Sequence, residues 1–169
     1  MRFYANRDFL KMRSFANSVN SGKASVRLSA MTKRIVLDAN ILIRAVLGKK
    51  VREMIARFAP TVDFFTTDRC YADARRYLPI LFEKRDLGSE DAMAVLEGLT
   101  GWVRIVDNSL YASYEGEARK RIAARDVDDW PVVALALLLE CPIWTEDADF
   151  FGTGVATWTS NLVHLYFGE

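Results

Sequence analysis

The sequence contains one histidine, His164, and only two cysteines, Cys70 and Cys141. A single histidine weakens the case for any histidine-based mechanism, whether a triad, an imidazole general base or a zinc centre that needs several imidazoles. Because the cysteines form no CxxC pair, we expect reduced thiols in the core rather than a disulfide or a zinc site. The longest apolar run, residues 131–139, is about half of the roughly 18 residues that a membrane-spanning helix needs. We therefore expect a cytoplasmic protein that does not interact with membranes.

The charge of the chain is close to balance, at a formal net value of +1, but it is unevenly distributed. Residues 1–30 contain six basic residues and one acid, whereas residues 31–169 contain 17 basic and 21 acidic residues. The larger part is therefore no general basic binder of nucleic acid and would need local basic patches and bound cations. We predict that residues 1–30 are a basic N-terminal extension. Three interpretations stay open for it: non-native codons upstream of a start at Met31, a flexible, disordered tail, or an organelle transit peptide.

Short apolar segments alternate with helical patterns from residue 31 onward. The apolar segments predict strands at residues 35–37, 62–66, 102–106, 143–145 and 155–158. The patterns between them predict helices at residues 40–48, 51–58, 67–84, 89–98, 110–124 and 128–140, with a kink or break at Pro79. This alternation predicts one α/β domain over residues 31–169, a three-layer sandwich with a central, mostly parallel sheet flanked by helices.

Four aspartates fall near the predicted element ends at which an open α/β sheet binds its ligands. They are Asp38 after the first strand, Asp73 in the helix after the second, Asp129 at the start of the helix before the fourth, and Asp147 after the fourth. Each alone has a structural explanation, as a helix cap, a solvated helix residue beside an arginine, or a turn residue. Together they would repel one another unless a divalent cation neutralised them, and carboxylate oxygens suit Mg²⁺ or Mn²⁺.

Two segments resemble the opening and closing motifs of the PIN-domain family (PilT N-terminus), which includes the VapC-like toxin ribonucleases. The first, residues 35–43, has an apolar strand, then Asp38, a small residue, an asparagine and further apolar residues. The second begins at Asp129, continues through an alanine-rich helix and ends in the letters TEDADF at residues 145–150. The resemblance covers residues 31–160 and implies a PIN-like fold.

The resemblance also implies the residues of a metal site. The family's four acids match Asp38, Asp73, Asp129 and Asp147, with Asn40 and Thr145 in supporting positions and Asp149 as a further acid. Asp126 and Asp128 compete for the third position, which we assign to Asp129 from its spacing to the alanines of the following helix. The family more often has Glu at the second position, and the alternatives there to Asp73 are Asp68 and Glu83.

The function that the resemblance implies is Mg²⁺- or Mn²⁺-dependent hydrolysis of RNA phosphodiester bonds, which leaves a 5′-phosphate and a 3′-hydroxyl. It further implies a toxin that an antitoxin protein blocks, and a homodimer. For contacts to RNA phosphates we select Arg44, Lys49, Lys50 and Arg52, with Arg69, Arg75 and Arg76 as second candidates.

Two other functions remain open from the sequence. One is a catalytically degraded PIN-like module that binds RNA or protein, supported by the aspartate at position 73. The other is a receiver-type domain in which clustered aspartates bind Mg²⁺ for phosphotransfer. That domain would need a lysine late in the sheet, and no lysine follows Lys120. A metal-dependent nuclease is therefore the preferred hypothesis.

Overall fold

The computed structural model describes residues 32–83 and 89–168, with the backbone alone at residues 89 and 90. Five parallel strands form one sheet in the order β3-β2-β1-β4-β5. They are β1 (Lys33–Leu37), β2 (Val62–Thr67), β3 (Val103–Val106), β4 (Ile143–Trp144) and β5 (Thr157–Trp158). The predicted α/β architecture, a central parallel sheet flanked by helices, is confirmed. Residues 1–30 lie outside the described residues, so the three interpretations of this segment stay predictions.

Helices connect the strands and cover the sheet. They are α1 (Ala39–Leu47), α2 (Lys49–Phe58), α3 (Asp68–Glu83), α4 (Ser89–Leu99), α5 (Asn108–Tyr111), α6 (Glu115–Ile122), α7 (Trp130–Leu139) and α8 (Val163–Phe167). Short 3₁₀ helices lie at Ala112–Tyr114, Val127–Asp129 and Ala148–Phe150. Helix α7 is apolar on every side, and it is accordingly buried along almost its whole length. Within the described part of the chain, no helix is long and apolar enough to cross a membrane.

Strand β1 lies at the centre of the sheet and is covered on both faces. Ile35, Val36 and Leu37 are all completely buried. Because successive side chains of a strand point to opposite faces, helices must cover both sides of the sheet here. A continuous apolar run in the sequence is the pattern that such a strand requires.

The direction in which the chain adds strands reverses beside β1. From β1 the chain adds β2 and β3 on one side, and β4 and β5 are then added on the other. In open parallel sheets the crevice at such a reversal, outside the carboxyl ends of the strands, is the usual ligand site. Leu37 of β1 is in register with Trp144 of β4. The residues that follow them, Asp38 and Thr145, are therefore neighbours at this crevice.

Two predicted helices differ from the observed ones. The single helix predicted over residues 110–124 was wrong, because α5, a 3₁₀ turn and α6 occupy this segment. Asp107 caps α5 by accepting a hydrogen bond from the Ser109 N–H at 2.9 Å, and the buried Tyr111 ends it. A break at Pro79 was also wrong, since α3 continues through it to Glu83; a proline removes one backbone hydrogen bond, which tertiary contacts can offset.

Candidate active site

Asp38 is the first residue after β1 and is only 7% exposed. Its Oδ1 accepts a hydrogen bond from the Ala39 N–H at 2.6 Å, and its Oδ2 accepts one from the Thr145 hydroxyl at 2.7 Å. Burial raises the pKa of the Asp38 carboxyl, and the carboxylates of Asp147 and Asp73 raise it further. The two hydrogen bonds act in the opposite direction, because donors favour the ionised form. Asp38 is thus a buried carboxylate with a fixed orientation.

Thr145 and Asn40 determine that orientation. The Thr145 hydroxyl has one proton, which it donates to Asp38, while its oxygen accepts from the Asp147 N–H at 2.9 Å and from Asn40 Nδ2 at 3.1 Å. Asn40 Nδ2 also donates to Asp38 Oδ2, and Asn40 Oδ1 accepts from the Glu146 N–H at 3.3 Å. The network joins the segment after β1 to the segment after β4. This is the geometry that a supporting role needs, and the role itself stays a prediction.

A small cleft, open to solvent, lies beside Asp38. Its lining residues are Asp38, Ala39, Arg69, Cys70, Asp73, Asp128, Asp129, Pro131 and Val132. Asp147 is close enough for its carboxylate to raise the pKa of both Asp38 and Asp129. The structure therefore brings the four predicted acids, from four separate segments, to one place at the reversal of the sheet.

The charge of Asp129 is strongly disfavoured at this cleft. Burial raises the pKa of its carboxyl to about 7, and the carboxylates of four neighbours add to the effect. These neighbours are Asp38, Asp126, Asp147 and Asp149. Asp129 is the N-cap residue of α7, yet its side chain makes no capping hydrogen bond. Helix capping therefore does not explain this aspartate, and a nearby positive charge would relieve its environment.

These motifs and this arrangement agree with one family, since a family model for the PIN domain matches residues 36–168. The chain belongs to the PIN-domain family. Proteins of this family are generally nucleases, so membership supports a nuclease activity. The comparison with curated proteins gave no match.

Solved structures with this PIN fold have low sequence identity to the chain. PAE2754 from Pyrobaculum aerophilum has a TM-score of 0.60 at 12% identity, over 88% of this chain and 98% of its own. VapBC2 from Rickettsia felis, bound to a DNA fragment from its promoter, has a TM-score of 0.59 at 13% identity, over 75% and 98%. A toxin-antitoxin complex from Klebsiella pneumoniae has a TM-score of 0.53 at 16% identity, over 75% and 97%. At these identities the likeness shows the fold.

The donor atoms of the PIN cleft suit a hard divalent cation, because they are carboxylate oxygens without an imidazole. Cys70 lines the cleft as well, but burial raises the pKa of its thiol to about 12, so it stays protonated at neutral pH. In the described parts of the chain, no three His, Cys, Asp or Glu side chains are close enough to hold a metal ion as they stand. A cation would need the carboxylates to turn towards it, with water as further ligands.

Three acids compete for the third position of the site. Asp126 caps the 3₁₀ helix at Val127–Asp129 by accepting from the Asp128 N–H at 2.9 Å. Asp128 lines the cleft but is exposed, whereas Asp129 is partly buried and its pKa responds to the Asp38 charge. The geometry therefore favours Asp129, as the motif spacing does.

At the second position, only Asp73 of the three candidates lines the cleft. Asp68 instead accepts hydrogen bonds from the Tyr111 hydroxyl and from the Asn108 N–H at 3.2 Å, and so joins α3 to α5. Glu83 is the last residue of α3, and ten residues of helix separate it from Asp73 by about 15 Å. Although the family more often has Glu at this position, Asp73 therefore still provides a carboxylate at the cleft.

The four residues first selected for RNA contacts lie outside the lining of the cleft, whereas Arg69, one of the second candidates, belongs to that lining. Arg44 faces Glu146, with Nη1 3.6 Å from Oε1, and Arg52 Nη1 donates to the Ala45 carbonyl at 3.2 Å. Lys49 and Lys50 are exposed at the start of α2 and, like Arg75 and Arg76, do not line the cleft. Contact of these side chains with RNA stays a prediction.

Glu146 is a residue that sequence reasoning missed. Its Oε1 accepts from the Ser160 N–H at 2.8 Å and faces Arg44, while its own N–H donates to Asn40. It thus joins the segment after β4 to α1 and to the segment after β5. Its place between Thr145 and Asp147 in the closing motif was the available signal.

We expect the metal-free protein to become less stable as the pH rises from about 4 to about 7, and Asp129→Asn to reduce this loss. The folded-state pKa of Asp129, about 7, lies above its ordinary value of 3.8, so the folded state holds the proton more tightly than the unfolded chain. This contribution is complete below the unfolded-state pKa and is lost as the pH rises through the folded-state pKa. Melting temperatures in EDTA between pH 5 and pH 8 measure the effect.

The control for this prediction is Asp128→Asn, which removes the same charge at the exposed neighbour. Asp129→Asn should be more stable than the wild type at pH 8, and this difference should become smaller as the pH falls to 5 and towards 4, whereas Asp128→Asn should change the stability little at either pH. Parallel curves for the wild type and Asp129→Asn would refute the assigned pKa.

Proposed function

We propose that this PIN domain is a Mg²⁺- or Mn²⁺-dependent endoribonuclease that hydrolyses RNA phosphodiester bonds and acts as the toxin of a toxin-antitoxin pair. The observation that carries the proposal is the group of aspartates around one cleft, Asp38, Asp73 and Asp129 in its lining and Asp147 beside them. Such a group destabilises a metal-free protein, and a divalent cation removes that repulsion.

In this proposal the protein side chains position the cation and the attacking water, and the cation activates that water. A bound cation would supply a water of lowered pKa and would offset the charge that builds on the phosphoryl oxygens. Asp38, Asp129 and Asp147 would hold it, directly or through water. Asp73, on the α3 wall of the cleft, would complete the set or orient the attacking water. Thr145 and Asn40 keep Asp38 in its orientation by donating to Oδ2, and Asp149 adds negative charge near Asp129.

The partners that we infer come from the structural relatives. The protein from Klebsiella pneumoniae is a toxin-antitoxin complex, and VapBC2 was solved on a fragment of promoter DNA. By analogy we infer an antitoxin protein that covers the cleft of this chain, a homodimer of the PIN domain, and action on RNA in the cytoplasm.

We expect the full-length protein to cleave RNA in Mg²⁺ or Mn²⁺, to lose this activity in EDTA and to regain it when the metal is restored. The assay uses labelled single-stranded and hairpin RNAs, with DNA of the same sequences as the matched control. RNA should be cut and DNA should not, and mass spectrometry of the products should find 5′-phosphate and 3′-hydroxyl ends. Circular dichroism verifies that the protein is folded in every buffer.

Two outcomes would contradict this proposal. Cleavage that persists in EDTA would exclude the metal dependence. Folded, metal-treated protein that binds RNA and cuts none would favour the second candidate, a catalytically degraded PIN-like RNA- or protein-binding module. The observations in favour of this second candidate are the pairing of Asp73 with Arg69 and, in the described residues, the lack of three donors at metal-binding distance.

A further inference from the structure

Among the described residues that line the acidic cleft, Arg69 provides the positive charge. We propose that Arg69 binds a phosphate group of the substrate and that its pairing with Asp73 belongs to the state without substrate. This inference rests on the proposed function, because it takes the substrate to be a nucleic acid that enters the cleft. It adds a substrate-binding residue that the motifs of the chain do not include.

The contact between Arg69 and Asp73 is one that a phosphate can replace. Arg69 Nε lies 3.9 Å from Asp73 Oδ2, at the limit of an ion pair, and the Arg69 side chain is 53% exposed. Exposed pairs of this kind contribute little to stability, so little is lost when the contact breaks. A guanidinium carries five N–H donors in a planar fork that matches two phosphate oxygens, and this single long contact leaves most of them available to a ligand.

The negative charge of the cleft means that a phosphate group needs a positively charged side chain there. Phosphates that approach four carboxylates are repelled, and a bound cation offsets only part of that charge. Arg44 faces Glu146 and Arg125 faces Asp149, each with an N–O distance of 3.6 Å, and neither lines the cleft. Arg69 and Asp73 lie in the same wall of the cleft, so a phosphate that binds at this wall is close to the Arg69 guanidinium.

Arg69 and a divalent cation also share a partner, because both are attracted to Asp73. A phosphate that draws Arg69 away leaves the Asp73 carboxylate open to the cation, so substrate and metal should each strengthen the binding of the other. Removal of Arg69 should then have opposite effects on the two ligands. It should weaken RNA binding and leave Mn²⁺ binding equal or tighter, a combination that a folding defect would not produce.

The test measures RNA binding to the full-length protein in EDTA, where no metal-dependent cleavage occurs, by fluorescence anisotropy with a labelled single-stranded RNA. Arg69→Ala should weaken binding roughly tenfold, the value of one charge-assisted contact. The slope of log K against log salt concentration should become shallower by about 0.7, as for one lost contact to a single strand. Arg69→Lys should keep the slope and recover part of the affinity.

The matched control is Arg104→Ala. Arg104 is 58% exposed and faces a single aspartate, Asp63, at 3.2 Å, but it lies on β3 and does not line the cleft. The Arg104→Ala variant should bind RNA as the wild type does. Electron paramagnetic resonance measures Mn²⁺ binding in the absence of RNA for Arg69→Ala, Arg69→Lys and Arg104→Ala.

Three results would overturn the inference: Arg69→Ala with wild-type affinity and slope, weakened RNA and Mn²⁺ binding together, or a wild type that binds no RNA. A wild type that binds RNA with this dependence on Arg69 but never cleaves it would refute the nuclease function and support the phosphate contact. The failure of the proposed function is thus distinguishable from the failure of this inference.

Discussion

Asp38→Asn is expected to lower the rate of metal-dependent RNA cleavage by at least about 100-fold, the size of effect seen when a group that stabilises developing charge is removed. The substitution keeps the shape of the side chain and removes its charge. The asparagine oxygen can still accept from the Thr145 hydroxyl, but the amide group that replaces Oδ1 meets the Ala39 N–H, which is also a donor. Single-turnover cleavage with excess protein measures the rate.

Stability should change little in this variant, because two effects oppose each other. The lost hydrogen bond from Ala39 destabilises the fold, whereas removal of a buried carboxylate with a raised pKa stabilises it at neutral pH. Asp91→Asn, an equal change at an exposed position of α4, is the control and should cleave as the wild type does. Wild-type cleavage by folded Asp38→Asn would exclude the cleft as the catalytic site.

The positions of Asp38 and Thr145 could be predicted because each follows a short apolar strand, and parallel strands end at one edge of a sheet. Their direct hydrogen bond could not, since it depends on β1 and β4 being neighbours, and the order of strands is set by long-range pairing. The same limit applies to Glu146. Nothing in its local pattern shows that the Ser160 backbone, fourteen residues later, donates to it.

Local periodicity failed where tertiary contacts decide the backbone. Residues 110–124 have the apolar spacing of one helix, yet Tyr111 is buried and its hydroxyl donates to Asp68 at the start of α3. The chain turns there in order to make this contact. Helix α8, only five residues long, is stabilised by packing of Phe167 against Phe58, Phe64 and Trp144, which a window along the sequence does not detect.

The role that we propose for Arg69 also depends on long-range packing. The sequence offered it as one of several arginines that could meet a phosphate, with nothing to separate it from Arg75 and Arg76 on the same helix. Only the arrangement of α3 beside the segment that begins α7 puts Arg69 in the lining of the cleft and leaves the other two outside it. The arginines of a sequence therefore indicate where a phosphate binds only once the residues that line the site are known.

Trp144→Ala should destabilise the protein by about 3–5 kcal/mol, the usual effect of deleting a buried aromatic side chain. Trp144 is the largest fully buried side chain in the described residues, and its ring packs 6.4 Å from Phe64 and 5.8 Å from Phe167 between centroids. Its indole N–H donates to Ser160 Oγ at 3.1 Å. Urea denaturation followed by circular dichroism measures the change in free energy of unfolding.

The comparison with Trp102→Ala separates burial from residue type, because Trp102 is 42% exposed and its loss should be far less destabilising. If Trp144→Ala does not fold, Trp144→Phe keeps a ring, loses the bond to Ser160 and should retain a measurable transition. Equal destabilisation by Trp144→Ala and Trp102→Ala would contradict the packing described here. Trp144 directly precedes Thr145, and its partner Ser160 donates through its backbone to Glu146. The residue that stabilises the core therefore also holds the segment that orients Asp38, and we expect cleavage to decline as the Trp144 variants unfold.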